Sequence, residues 1–382
     1  MQKDGLARVE EIYLDRGKVA RELHDQGKKV IAYICCYVPL ELMTALDIVP
    51  YRVMGDVNEP ITEADVHMET IVCPFVRSAF DIALKGALSF CDGLVIPHTC
   101  DSIAKTFNIW EYNIKPDYFH FLDVPHKVDA SSLAFFKSLL GVFAKSLEDF
   151  TGKSLSSKNL AQAIKLHNEN RALMRELYDL RKEDPTLICG SEMTRVLVAS
   201  MSIPVSECNG LLRTIISEVK ERGDKPKHQP IRLLVYGAEV DDTALIDLIE
   251  ESGANVVMDD LCIGSKSFWP DVLETPDPLD GIVERYLDKI NCARTYRPRS
   301  GTYEEYQESR FGYIRDFASD FKANGVILYI LRCCDPLGFD APEIKDYLER
   351  EGFPVLYLED DYAASSTAGL RTRVQAFLET LG

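Results

Sequence analysis

The sequence predicts an α/β protein of two Rossmann-like parallel-sheet domains, related by internal duplication, with a helical segment between them. Three observations carry this reading. Short apolar, β-branched runs alternate with helical periodicity in both halves of the chain, the pattern of parallel sheets. Two of those runs match each other: Asp92-Gly-Leu-Val-Ile96 aligns with Asn324-Gly-Val-Ile-Leu328, each preceded by a helix and followed by a Cys-Asp pair. The next strand then ends 23 residues after Cys100 and 25 after Cys334. Between the halves lie about 100 residues with almost no strand signal. The expected divisions are 1–130, holding Cys73 and Cys100, a helical region and linker over 131–228, and 229–382, holding Cys334.

Each element has a local reason. Gly5–Gln26 is amphipathic and expected as one helix. Lys29–Ile34 is a buried strand that runs into Cys35-Cys36-Tyr37-Val38-Pro39, and the proline opens a helix over Leu40–Ile48. Val49–Met54 is a short strand closed by Gly55-Asp56, and a helix over Pro74–Leu88 leads to the strand Gly93–Pro97. That strand runs into His98-Thr99-Cys100-Asp101; after a further helix, Tyr118–Leu122 is a strand ending at Asp123. In the middle, Leu133, Phe136, Leu140, Phe143, Leu147 and Phe150 recur at helical spacing, and Ser157 is expected to cap a second helix. Helical sequence continues over Glu192–Val198 and Glu207–Arg222, and the polar stretch Arg222–Pro230 reads as a linker. The second half repeats the order, with strands at Ile231–Tyr236, Ala254–Met258, Gly325–Leu331 and Pro354–Leu358 and helices at Asp242–Ser252, Tyr303–Ala323 and Ala341–Glu351.

Composition narrows the function. Acidic residues exceed basic ones by 18, a field that repels phosphate backbones and argues against nucleic acid as a partner. The first residues are polar and no run reaches the ~20 apolar residues of a membrane helix, so the expectation is a cytoplasmic chain with no membrane partner. There is no Walker A loop, no Gly-x-Gly-x-x-Gly after a strand and no Gly-x-Ser-x-Gly elbow.

The eleven cysteines are the informative feature. In open α/β sheets ligands bind beyond the carboxyl ends of the strands. Cys35, Cys36, Cys100, Cys262, Cys333 and Cys334 all fall there, and Cys73 precedes Pro74 at a helix start, where backbone amides favour a thiolate. Cys91, Cys189, Cys208 and Cys292 look like background. Cys73, Cys100 and Cys334 form the candidate metal constellation, too widely spaced for a zinc finger and suited to an iron–sulfur cluster with one open iron. Three core thiols, or a zinc site completed by His98, are the alternatives at this point.

The segments Ile34-Cys-Cys-Tyr-Val-Pro-Leu-Glu41, Pro50-Tyr-Arg-Val-Met-Gly-Asp56, Cys73-Pro-Phe-Val-Arg-Ser78, Pro97-His-Thr-Cys-Asp101, Cys334-Asp-Pro336 and Leu370-Arg-Thr-Arg-Val-Gln-Ala-Phe377 occur in this order over nearly the whole length. Taken together they resemble the 2-hydroxyacyl-CoA dehydratase / benzoyl-CoA reductase family. The resemblance implies a [4Fe-4S] cluster on Cys73, Cys100 and Cys334. It also implies a related second subunit or a homodimer, an ATP-dependent iron–sulfur activator protein, and an acyl-CoA substrate whose thioester receives a low-potential electron in ketyl radical chemistry.

Around such a cluster Glu41 is a candidate acid/base group, or else a solvated first-turn glutamate. His98 is a candidate to hydrogen-bond a sulfur or protonate the leaving hydroxide, or else a structural histidine. Arg77, one turn after Cys73, would balance cluster charge or meet the acyl-CoA; Arg371 and Arg373 would supply positive charge for CoA phosphates; all three have a surface role as the alternative. Two other readings stay open. One is a double-cubane [8Fe-9S] reductase of small molecules, in which Cys35, Cys262 and Cys292 supplement the three ligands. The other is a non-catalytic CoA-binding or scaffold subunit.

Overall fold

The apolar runs become two sets of parallel strands. In the computed structural model, which describes residues 4–382, these are β1 (Lys29–Tyr33), β2 (Ile48–Arg52), β3 (Gly93–Pro97) and β4 (Tyr118–Leu122), then β5 (Ile231–Gly237), β6 (Ala254–Asp260), β7 (Gly325–Leu331) and β8 (Val355–Asp360). The sheet orders are β2-β1-β3-β4 and β6-β5-β7-β8. The two halves therefore share one topology, and the mixed α/β architecture with two parallel sheets is the expected one. β3 and β7 are buried along their whole length, as strands covered on both faces must be. Gly237 marks the tightest approach: a Cβ there would stand 2.0 Å from the Tyr329 carbonyl oxygen on the neighbouring β7, so only glycine fits.

The register sets where the strands stop. Tyr33 pairs with both Arg52 and Val95, and Tyr236 pairs with Asp260 and Leu328. In each sheet the order reverses between the first and third strands, which opens a crevice beyond their carboxyl ends. The two crevices face each other. Arg52, the last residue of β2, donates to Glu239 just after β5 at 2.9 and 3.0 Å, the Gly55 N–H donates to Asp241 at 2.7 Å, and the Tyr37 and Thr295 hydroxyls meet at 2.6 Å.

Several helices differ from the sequence reading. The first is broken into Gly5–Leu14 and Lys18–Asp25, with Asp15 accepting from Arg21 across the break at 2.6 Å. Its first piece leaves the sheet and packs on the middle helices, where the Leu6 N–H donates to Glu218 at 3.1 Å. Ser156, not Ser157, caps Ser157–Asp179, its hydroxyl accepting from the Asn159 N–H at 3.1 Å. The helix expected from Ala341 begins at Asp335, because Cys334 is its N-cap and Pro336 sits in the first turn, where a missing N–H costs nothing. Short helices at Ser265–Phe268 and Pro278–Val283, a π-turn at Glu284–Asp288 and a final helix at Thr367–Leu381 were not foreseen. The helix Ala130–Thr151 is long and apolar enough, by length and composition, to cross a membrane. In this fold it lays Phe136, Leu140, Phe143 and Leu147 into the core beside β4.

Candidate metal centre

Cys73, Cys100 and Cys334 each occupy the N-cap of a helix: Pro74–Leu84, Asp101–Ile114 and Asp335–Arg350. Three helix N-termini thus present thiols whose own first-turn amides favour the thiolate: Phe75 and Val76 for Cys73, Ser102 and Ile103 for Cys100, and Leu337 for Cys334, though none makes a capping hydrogen bond to the sulfur. The three thiols also feel one another electrostatically, Cys100 with Cys73 and Cys334 with both. Burial nevertheless dominates, pushing Cys73 up to about 11, Cys100 up to about 12 and Cys334 well above the ordinary thiol value. Such thiols stay protonated near neutral pH unless a cation replaces the proton.

A second group of thiols borders the first. Cys35, after β1, interacts with Cys100, Cys262 and Cys292, and Cys36 with Cys262 and Cys292. Cys333 faces Cys73. A hydrogen bond from Cys36, helped by Arg52 against burial, lowers Cys35 to about 6 and leaves Cys36 raised. Cys292 is raised by burial and lowered by contacts from the Tyr37 hydroxyl and the Arg294 N–H. This corrects the sequence reading, which grouped Cys292 with the background: its loop follows the π-turn, an element with no sequence signal. Cys91, Cys189 and Cys208 lie elsewhere, Cys189 capping Gly190–Ser200 and Cys208 beneath the Asn170 amide at 3.2 Å. No cysteine is in a disulfide.

Among the described residues, no three His, Cys, Asp or Glu side chains stand close enough to share one metal ion. The donor set fits a cluster in kind: soft sulfur ligands, Cys73 buried and Cys100 and Cys334 half-buried, with helix N-termini and cations around them. Two of those cations were missed in the sequence. Arg52 is 1% exposed and interacts with Cys35 and Cys36. Lys266 is equally buried, holds Asp260 at 2.9 Å and interacts with Cys262 and Cys292. A charged residue ending the apolar strand β2 was the available signal for Arg52; Lys266 had none.

The remaining candidates are placed as follows. Glu41 is fully buried, which removes the solvated-glutamate alternative; it accepts from Arg171 and, at 2.9 Å, from the Tyr286 hydroxyl. Burial raises its carboxyl, but Arg171 and Arg285 outweigh that and hold it at about 2, so it carries no proton to give near neutral pH. His98 turns Nδ1 to Asp123 at 2.7 Å and its ring edge to His126. Arg77 pairs with Asp65. Arg371 pairs with Glu251 at 2.9 Å at the end of Ala244–Glu251, beside the start of β6 and away from the thiols. Arg373 donates to the Tyr357 carbonyl at 2.6 Å and is exposed.

A family profile described as 2-hydroxyglutaryl-CoA dehydratase, D-component, matches residues 35–381. The chain is 26% identical over 365 residues to the (R)-phenyllactyl-CoA dehydratase beta subunit of Clostridium sporogenes, covering 95% of this chain and 94% of that one. It is 27% identical over 381 residues to one of the subunits of benzoyl-CoA reductase from Thauera aromatica, covering 98% and 96%. It is 24% identical over 360 residues to the beta subunit of (R)-2-hydroxyglutaryl-CoA dehydratase from Acidaminococcus fermentans, covering 93% of each.

Proposed function

The chain belongs to the 2-hydroxyglutaryl-CoA dehydratase D-component family, and from that premise we propose that it is the iron–sulfur subunit of an enzyme acting on an acyl-CoA, with Cys73, Cys100 and Cys334 holding a [4Fe-4S] cluster. The observation that carries the reading is the convergence of three N-cap thiols from two duplicated halves. When bound, the cluster would supply low-potential electrons to the thioester carbonyl. The chain's own residues would hold the sulfurs at three helix N-termini beyond the β3 and β7 ends. The similarity to single subunits of dehydratases and of a benzoyl-CoA reductase supports a partner subunit, and the missing phosphate loop supports a separate ATP-dependent activator.

A second reading is favoured by a specific observation. Cys35, Cys262 and Cys292 stand beside the first three thiols, which is the arrangement a double-cubane cluster needs. One measurement tests both. Iron content of anaerobically purified protein should be about four per chain for a single cubane and about eight for the double one. A colourless protein without iron after reconstitution would leave the scaffold reading standing and sink both others.

A further inference from the structure

A cavity of about 60 Å³ lies behind Cys35 and Cys36, walled by Arg52, Arg171, Arg285 and His167. Three guanidinium groups around so small a space need anions, because burying an unpaired charge is costly and arginine does not shed its proton. Two are matched. Arg171 pairs with Glu41, and Arg52 pairs with Glu239 and faces the low-lying Cys35 thiol. Arg285 is not matched. It is 2% exposed, and its Nη2 donates to the Ser267 carbonyl at 2.5 Å and its Nε to the Pro270 carbonyl at 3.3 Å. Its Nη1 has no partner, and Glu41, the carboxylate nearest to it in charge, is already taken by Arg171 and Tyr286. Arg52 adds two further N–H groups, Nε and Nη1, with no partner. His167 is held neutral by burial, near 4, and is occupied by Thr44 at 2.9 Å, so it adds no charge.

We propose that this cavity binds a small monovalent oxyanion, a carboxylate or an ion of that shape, seated on the free Nη1 of Arg285 and the free N–H groups of Arg52. The volume has room for about four waters at roughly 15 Å³ each, which is the scale of one carboxylate group. Each free N–H is a single charged donor, so the two oxygens of a carboxylate would be shared between Arg285 Nη1 and Arg52. The site stands on the arginines, whatever the thiols hold, and Cys35 on its wall places the bound anion next to the metal centre.

The test is equilibrium dialysis of labelled formate against the anaerobically purified full chain, with iron content and circular dichroism measured on the same samples. Wild type should take up one formate per chain saturably. Arg285→Gln should weaken binding about tenfold to a hundredfold with iron and fold unchanged. Glutarate in competition separates the sources: displacement of formate assigns the site to the end of a longer carboxylate, and no displacement to a free ion. Should Arg285→Gln fail to fold, Arg285→Lys keeps the charge and loses the Nη1 donor held in place by the two carbonyl bonds, and several-fold weaker binding is expected. No saturable uptake by wild type, or unchanged affinity in the folded Gln or Lys variant, overturns the proposal, and the iron assay on those samples reports separately on the cluster.

Discussion

The two halves share one strand order, yet their crevices carry different chemistry. At the third strand of each the ends are alike, β3 running to Cys100 and β7 to Cys334, each capping a helix. At the first strand they differ. β1 ends in Cys35-Cys36, while β5 ends in Ala238-Glu239-Val240-Asp241. The contrast extends to two buried glutamates, each joined to an arginine. Glu41, in the first half, has Arg171, Arg285 and Tyr286 around it and lies at about 2. Glu239, in the second, is raised by burial to about 7, with Arg52 opposing and Asp241 adding to the rise. Duplication supplies a common frame for the ligands, and the surrounding charges of each copy decide what its polar groups do.

The equivalence of Cys100 and Cys334 is the boldest part of that comparison. Cys100→Ser and Cys334→Ser should each remove most of the iron and visible absorption, because a hard hydroxyl replaces a soft thiolate. Cys73→Ser should match them. Full iron in Cys334→Ser alone would break the symmetry and move the ligand to Cys333. Cys262→Ser or Cys292→Ser should leave a single cubane intact and halve the iron of a double one.

Next comes Glu41→Gln, which leaves Arg171 buried beside a neutral group. A loss of about 3–5 kcal/mol in urea unfolding of the apoprotein is expected. A loss below about 1 kcal/mol would mean that Arg171 finds another partner.

Glu239 should show a pH signature of opposite sign to that of Glu41. Its folded value of about 7 lies above the ordinary 4.5, so the native state holds the extra proton between the two. Wild-type stability should therefore fall relative to Glu239→Gln as pH rises from about 4.5 to about 7, by on the order of 1–3 kcal/mol, and stay level above. The Glu41 contribution is present above 4.5 and is lost only as pH falls toward about 2. Parallel stability curves for wild type and Glu239→Gln over that window would refute the contrast. The smallest effect belongs to Cys91→Ser and Cys189→Ser, which should leave iron content and spectrum unchanged.

Much of this was legible in the chain. All eight strands, the repeat, and the strand-end position of Cys100 and Cys334 follow from apolar runs and local spacing, since parallel strands buried on both faces must be apolar throughout. The helix break at Asp15, the early start at Asp335 and the π-turn before Cys292 were not, because each depends on capping contacts or on packing that a periodic pattern does not encode.

The sequence by itself determined the eight strands, their repeated succession along the chain and the residues that leave their carboxyl ends, because strand burial and turn chemistry are local. Only the tertiary structure decided which of those residues meet. That Cys292 joins Cys35, that Arg52 of one half pairs with Glu239 of the other, and that Arg285 is left without a carboxylate are all consequences of two sheets facing across a crevice. Contacts between residues as many as 258 positions apart, as for Tyr37 and Thr295, carry no periodicity in the chain; they are set by how the halves dock.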